Sequence, residues 1–170
     1  MLKNVSEAGA TASESAQTLI STLKGFSDEG LDATHVVDAL NKVSNSYATS
    51  VNDLSAGIKR ASAAMAAGGN SFEETLGLLT SGIEIMQQPG KVANALSTIS
   101  ARLTASNDAY IASITGGMGT VDDYTGELRS TYAILKDLAA VYPTLSSTER
   151  QNMIEVVARK DSTYRTNLHP

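Results

Sequence analysis

The side chains that could do chemistry in this chain are few, and their spacing works against them. His35 and His169 are its two histidines, and cysteine is absent. A Ser-His-Asp triad or a two-histidine metal site needs an imidazole held beside its partners. His35 falls in the first turn of a helical stretch, where a solvated side chain is the plain expectation. His169 is the penultimate residue and is expected in a disordered tail. Acidic pairs stand at Glu73-Glu74 and Asp122-Asp123. A carboxylate pair that cleaves glycosides must face itself across a cleft. Neighbours on a helix point in different directions, so neither pair provides that alone. Glu73 and Glu74 open a helix, where the positive end of the macrodipole favours negative charge.

Gly116-Gly117-Met118-Gly119 has the glycines of a phosphate loop but not the Gly-Lys-Ser/Thr ending, and no strand precedes it. Pro89-Gly90-Lys91 lacks the upstream glycine of the same motif. Both read as turns. Lys59-Arg60 with Arg102 would meet an anionic partner only if the fold gathered them; a solvated helix face is the simpler reading. Met65, Met86 and Met153 fall on apolar faces and read as core filling. A thin, Ala-rich core also leaves apolar strips for another chain to cover. No catalytic, cofactor-binding or metal-binding residue emerges, and the chain is expected to be no enzyme.

The elements that would position these residues are helices. The expected fold is all-α: an irregular array of five to seven short amphipathic helices, with a long flexible loop near residues 104–125. A first helix from about Ser13 to Lys24 would turn Ala12, Ala16, Leu19, Ile20 and Leu23 inward, with Gly25 at its C-terminal cap. The second, Ala33 to Ser46, carries Val36, Val37, Leu40 and Val43. Ser50-x-x-Asp53 opens a third with Val51, Leu54, Ile58, Ala61 and Met65, ended by Gly68-Gly69. Ser71-x-x-Glu74 is a capping box before Leu76, Leu79, Ile83 and Met86. Beyond Pro89-Gly90, Val92, Leu96, Ile99 and Leu103 recur at helical spacing.

From Thr104 to Thr125 no period is sustained, beyond a short turn at Tyr110 to Ile114. Helical order resumes from about Gly126 to Tyr142, with Leu128, Tyr132, Leu135, Leu138 and Ala139 inward, until Pro143 stops it. Ser146-x-x-Glu149 caps a last helix bearing Met153, Ile154 and Val157. Residues 1–12 read as a flexible N-terminus, 13–158 as the helical segment, and 159–170 as a disordered tail.

Totals narrow the classes further. The 170 residues are one domain's worth of chain. Aromatic residues make up 5% and tryptophan is missing, so the core must be thin and aliphatic. A net charge of −5, with no dense basic cluster, argues against nucleic-acid binding. No apolar run approaches the roughly 20 residues of a membrane span, and the N-terminus has no apolar signal-peptide segment. There is no fixed-period repeat and no sustained heptad.

Several stretches in order, DALNKVSN from Asp38, SAAMAAGGNSFEETLGLL from Ser62 and RSTYAILKDLA from Arg129, resemble phage tail tape measure proteins. The likeness runs from about Ser13 to Ala158. It implies a structural role in the lumen of a phage tail, where tape measure length sets tail length. The implied partners are tail tube subunits, tail assembly chaperones and copies of itself. The implied locations are the virion tail and, during assembly, the host cytoplasm. Family members are longer, with an extended helical region that does the measuring. A single helix of this length would reach only about 255 Å, so the chain is expected to be a segment, from a truncated or prophage gene. A bacterial helical interaction module unrelated to phage is the other reading of the same residues.

Overall fold

Short polar side chains set most helix starts in this chain. Asp32 accepts from the His35 N–H at 2.8 Å and opens a helix over Ala33–Ser46. Ser50 accepts from the Asp53 N–H and opens Val51–Ala67. The Asp53 carboxylate is one methylene short for a full box: it bonds the Ser50 hydroxyl at 2.7 Å. Ser71 and Glu74 close a complete capping box on Phe72–Met86. Ser146 and Glu149 make the same reciprocal pair at 2.8 and 3.3 Å before Ser147–Ala158.

The computed structural model describes residues 12–106, 108–121 and 125–158. Among them lie eight α-helices: α1 (Ala12–Gly25), α2 (Ala33–Ser46), α3 (Val51–Ala67), α4 (Phe72–Met86), α5 (Pro89–Ser106), α6 (Asp108–Ile114), α7 (Thr131–Val141) and α8 (Ser147–Ala158). Short 3-10 turns cover Ser27–Glu29 and Tyr142–Thr144. The fold is all-α; β structure among the described residues is one isolated bridge, Val121 to Leu128. Residues 1–11 and 159–170, with His169, and the Asp122-Asp123 pair lie outside the described residues.

Helix α3 is the hub. It packs against α1, α2, α4 and α5, and Leu54, Ile58, Ala61 and Met65 are fully buried along it. Phe72 is buried at the start of α4, edge-on to Phe26 at 5.9 Å between ring centres. A second, smaller core gathers Leu103 of α5, Ile111 of α6, Ile134 and Leu138 of α7, and Met153 and Val157 of α8. The long helix α5 runs from one core into the other.

The two cores meet at a polar joint. Asn70 is 4% exposed. Its amide donates to the carbonyl of Met65 at 2.7 Å and to that of Gly68 at 3.2 Å, and its Oδ1 accepts from the Tyr132 N–H at 2.8 Å. The Thr131 N–H donates to the Gly68 carbonyl, and the Thr131 hydroxyl to Ser100 Oγ, each at 3.1 Å. Gly68 is required there. A β-carbon on it would stand 2.0 Å from Ser100 Oγ and 2.9 Å from Thr131 Oγ1.

Several expected faces are corrected. Ile20 is 53% exposed, because α1 instead buries Ser15, Thr18, Leu19 and Thr22. The Thr18 and Thr22 hydroxyls donate to carbonyls one turn back, at 2.9 and 2.8 Å. A threonine satisfied in that way is cheap to bury. Met86 and Ile154 are also exposed, at the outer edges of their helices. Helix α7 begins at Thr131 rather than near Gly126, since Ser130 caps it through the Ala133 N–H. Leu128 precedes that helix in the bridge, and Leu128, Tyr132 and Ala139 are exposed while Thr131, Ile134 and Leu138 are buried. The stretch expected as a long loop near 104–125 holds the end of α5 and all of α6, because Ile111 is wholly buried against the second core.

Candidate interaction surface

Helices α2 and α4 both rest on α3 but splay apart from each other. The groove between them holds about 630 Å³. Its lining includes the apolar or small residues Ala39, Val43, Leu76 and Thr80, with Gly77 exposed beside them. Its rim is charged: His35, Asp38 and Lys42 from α2, Glu73 and Glu84 from α4, with Tyr47 at one end. His35 Nε2 stands 2.6 Å from Glu73 Oε1, both side chains about half exposed. The His35 ring also lies edge-on to Phe72, 6.1 Å away. Glu84 accepts from the Ala48 N–H at 2.9 Å, which fixes the chain after α2 to α4.

A second groove lies between α7 and α8, lined by Leu135, Leu138, Ala139, Tyr142, Met153, Ile154 and Val157. It carries almost no polar surface. Above it Tyr110 bonds weakly to the Glu149 carbonyl at 3.5 Å. Partial burial, then the Glu149 charge, raises the Tyr110 pKa. The Glu149 carboxyl titrates lower than usual because the Ser146 hydroxyl and N–H both bond to it.

The candidate residues do not converge on a reaction. An imidazole bonded to a carboxylate is two-thirds of a triad, but no hydroxyl among the described residues bonds to the His35 ring. Glu73 faces the groove, while Glu74 turns back to cap α4 and accepts from Ser130 Oγ at 3.2 Å. Gly116 and Gly117, with φ of 74° and 104°, end α6, and the Gly117 N–H donates to the Ala112 carbonyl at 2.8 Å. Pro89-Gly90-Lys91 is the first turn of α5.

Lys59 bonds Gln17 at 3.0 Å, and Lys59 and Arg60 line a shallow polar pocket with Glu14 and Ser55. Arg102 instead reaches the carbonyls of Glu155 and Val156 at 3.3 and 3.4 Å, joining α5 to the end of α8. Arg102 is therefore apart from the Lys59-Arg60 pair. Met65 is buried in the first core and Met153 in the second, while Met86 is exposed. Among the described residues, no three His, Asp or Glu side chains gather as a metal site, and no helix is long and apolar enough to cross a membrane.

Sequence reading missed Asp38, Lys42 and Gly77 as groove residues. Their only local signal is the spacing of Asp38 and Lys42, one turn apart on the outer side of α2. The geometry gives two grooves, one lined almost wholly by apolar residues and one by apolar and charged residues together.

No solved structure matches the chain. A family model described as phage-related minor tail protein matches residues 1–157, a span that takes in both cores and both grooves. The chain belongs to the phage-related minor tail protein family, whose place is the phage tail.

Proposed function

We propose that this chain is the helical segment of a tail tape measure protein, acting in tail assembly and, within a longer polypeptide, in tail length determination. The observation that carries the reading is the match to minor tail proteins across residues 1–157, joined to the ordered stretches DALNKVSN, SAAMAAGGNSFEETLGLL and RSTYAILKDLA. The fold suits an assembly role within that reading. Its helices are short and repeatedly capped, so this segment is a packed body that other chains recognise and not itself an extended ruler. Tail tube subunits and tail assembly chaperones are the partners this reading names. The site of action is the virion tail, after assembly in the host cytoplasm. The work is done by contact, without catalysis and without a cofactor.

The test is an in-frame deletion of this segment from the phage gene that encodes it, followed by electron microscopy of the particles. Tails that fail to assemble, or that shorten in step with the deletion, support the reading. Tails of normal length and infectivity would remove it.

A further inference from the structure

Lys59-Arg60 and Pro89-Gly90-Lys91 stand apart in the sequence and meet in the fold. The guanidinium carbon of Arg60 lies 3.7 Å from where a β-carbon on Gly90 would stand, so the Arg60 head rests against the first turn of α5. Lys59 reaches α1 instead, where Gln17 Oε1 accepts from its Nζ at 3.0 Å. Beside them a pocket of about 290 Å³ opens between α1 and α3, lined also by Glu14, Thr18, Asn52 and Ser55. Both ion pairs among the described residues lie elsewhere, His35 with Glu73 and Arg129 with Asp137. Lys59, Arg60 and Lys91 therefore have no carboxylate at salt-bridge distance among the described residues. That is unexpected in a chain with 18 acidic residues against 13 basic ones.

The same pocket holds an unpaired hydroxyl. Ser55 is 7% exposed, and its Oγ has no hydrogen-bond partner among the described residues. Buried hydroxyls on the neighbouring helices avoid that state. Thr22 and Thr80 donate to the carbonyl one turn back, at 2.8 and 2.7 Å. Thr49 and Thr75 also lack partners, but they line neither this pocket nor either groove. A buried hydroxyl left unpaired is unfavourable, and an acceptor brought in by a ligand relieves it.

We propose that the α1–α3 pocket is a carboxylate-binding site that receives an acidic side chain of a partner chain. The planar fork of Arg60 matches the two oxygens of a carboxylate. Lys59 adds a second positive charge, and Ser55 and Asn52 offer an O–H and an N–H. The first N–H groups of α5 have no partner within their helix and carry its positive end, which favours an anion on the Arg60 side. The charge of the lining selects the ligand. Lys59 and Arg60 carry +2 and Glu14 carries −1, so the pocket is formally +1 and suits one carboxylate. A phosphate dianion would bring surplus negative charge beside Glu14. A nucleic-acid backbone is disfavoured for the same reason and by the net charge of −5. The contact role proposed above supplies only the source of the acid; the pocket chemistry stands without it.

Amide chemical shifts of the full, isotope-labelled chain read the site out. The probe is acetylated, amidated tetraglutamate, and tetraglutamine is its neutral match. At about 0.15 M salt, tetraglutamate should shift the amides from Asn52 to Arg60 and those of Gly90 and Lys91, with a Kd of about a millimolar. Tetraglutamine should shift none of them. Arg60→Gln should weaken binding about tenfold by removing the charged fork. Ser55→Ala should also weaken binding, with an unchanged or higher Tm, because the free chain loses only an unpaired hydroxyl. Glu14→Gln should tighten binding. Circular dichroism should show each variant folded. No localised shift at about ten times the expected Kd overturns the proposal. So do equal shifts from tetraglutamine, or binding that survives Arg60→Gln undiminished. Inorganic phosphate that binds more tightly than tetraglutamate at equal ionic strength would also overturn it, and would make the pocket a phosphate site. The deletion test of tail assembly does not read this pocket, so the two proposals fail separately.

Discussion

The first five helices and the last three are held by different means. Around α3, seventeen described apolar residues are buried in one cluster, Leu54, Ile58, Ala61, Met65, Phe72 and Leu79 completely. Around α7 the buried cluster has six members, and Leu138, Met153 and Val157 keep a little exposure. Buried apolar area contributes roughly 25 cal/mol per Å², so the second core supplies far less of its own stability. It relies on what it hangs from: the shared helix α5, the Arg102 bonds to the end of α8, and the Asn70 joint. A dense core sets its own geometry, whereas a sparse one takes its geometry from polar contacts to a neighbour.

The largest effect should come from emptying the dense core. Phe72→Ala removes a wholly buried ring that touches Phe26 and His35, and should cost about 3–5 kcal/mol. Because the second region leans on the first, urea unfolding should show both regions lost together. If only part of the helical signal shifts, the dependence runs the other way.

Asn70→Ala should cost about 1–3 kcal/mol, chiefly by leaving the Tyr132 N–H unpaired, since the Met65 and Gly68 carbonyls keep backbone donors. Its effect should be lopsided. Three of the described tyrosines, Tyr110, Tyr132 and Tyr142, sit in the second region, and Tyr47 in the first. In this variant the tyrosine fluorescence transition should precede the far-ultraviolet circular dichroism transition in urea. Coincident transitions would show that the joint is not what couples the cores.

Ser71→Ala should cost about 1 kcal/mol by opening the capping box of α4, read as a shift in urea midpoint with an unchanged slope. An unshifted midpoint would mean that water replaces the cap at no cost.

The smallest effect is acid sensitivity at Ser146-Glu149. The Glu149 pKa is lowered in the folded chain by its bonds to Ser146. Its contribution is therefore complete above the unfolded glutamate value and is lost as pH falls through the lower folded value. The group is exposed, so the change should be small and confined to α8. Ser146→Ala should reduce this pH dependence without removing it, because the residue 146 N–H still bonds Glu149; an unchanged acid response would assign it to another carboxylate.

Much of the dense region was legible in the sequence because its signals are local. The bounds of α2, Ala33–Ser46, and the buried row of α3 follow from apolar spacing and from caps within three residues of their partners. The sparse region was less so. Leu128 and Tyr132 look inward by period, yet the Ser130 cap starts the helix later and brings Thr131 and Ile134 in. Hydropathy also passes over Thr18 and Thr22, whose hydroxyls are satisfied one turn back. The Asn70 joint reaches Tyr132 across 62 positions, and no local pattern carries such a contact. The α2–α4 groove depends on how two helices splay on a third, which neither helix encodes alone.

Native-state hydrogen exchange on the wild-type chain tests the two-region account most directly. Amides of α7 and α8 should exchange through a partial opening of lower free energy, one that leaves α3 and α4 protected. Protection equal across α3, α4, α7 and α8, with one shared denaturant dependence, would contradict the account and show a single cooperative core.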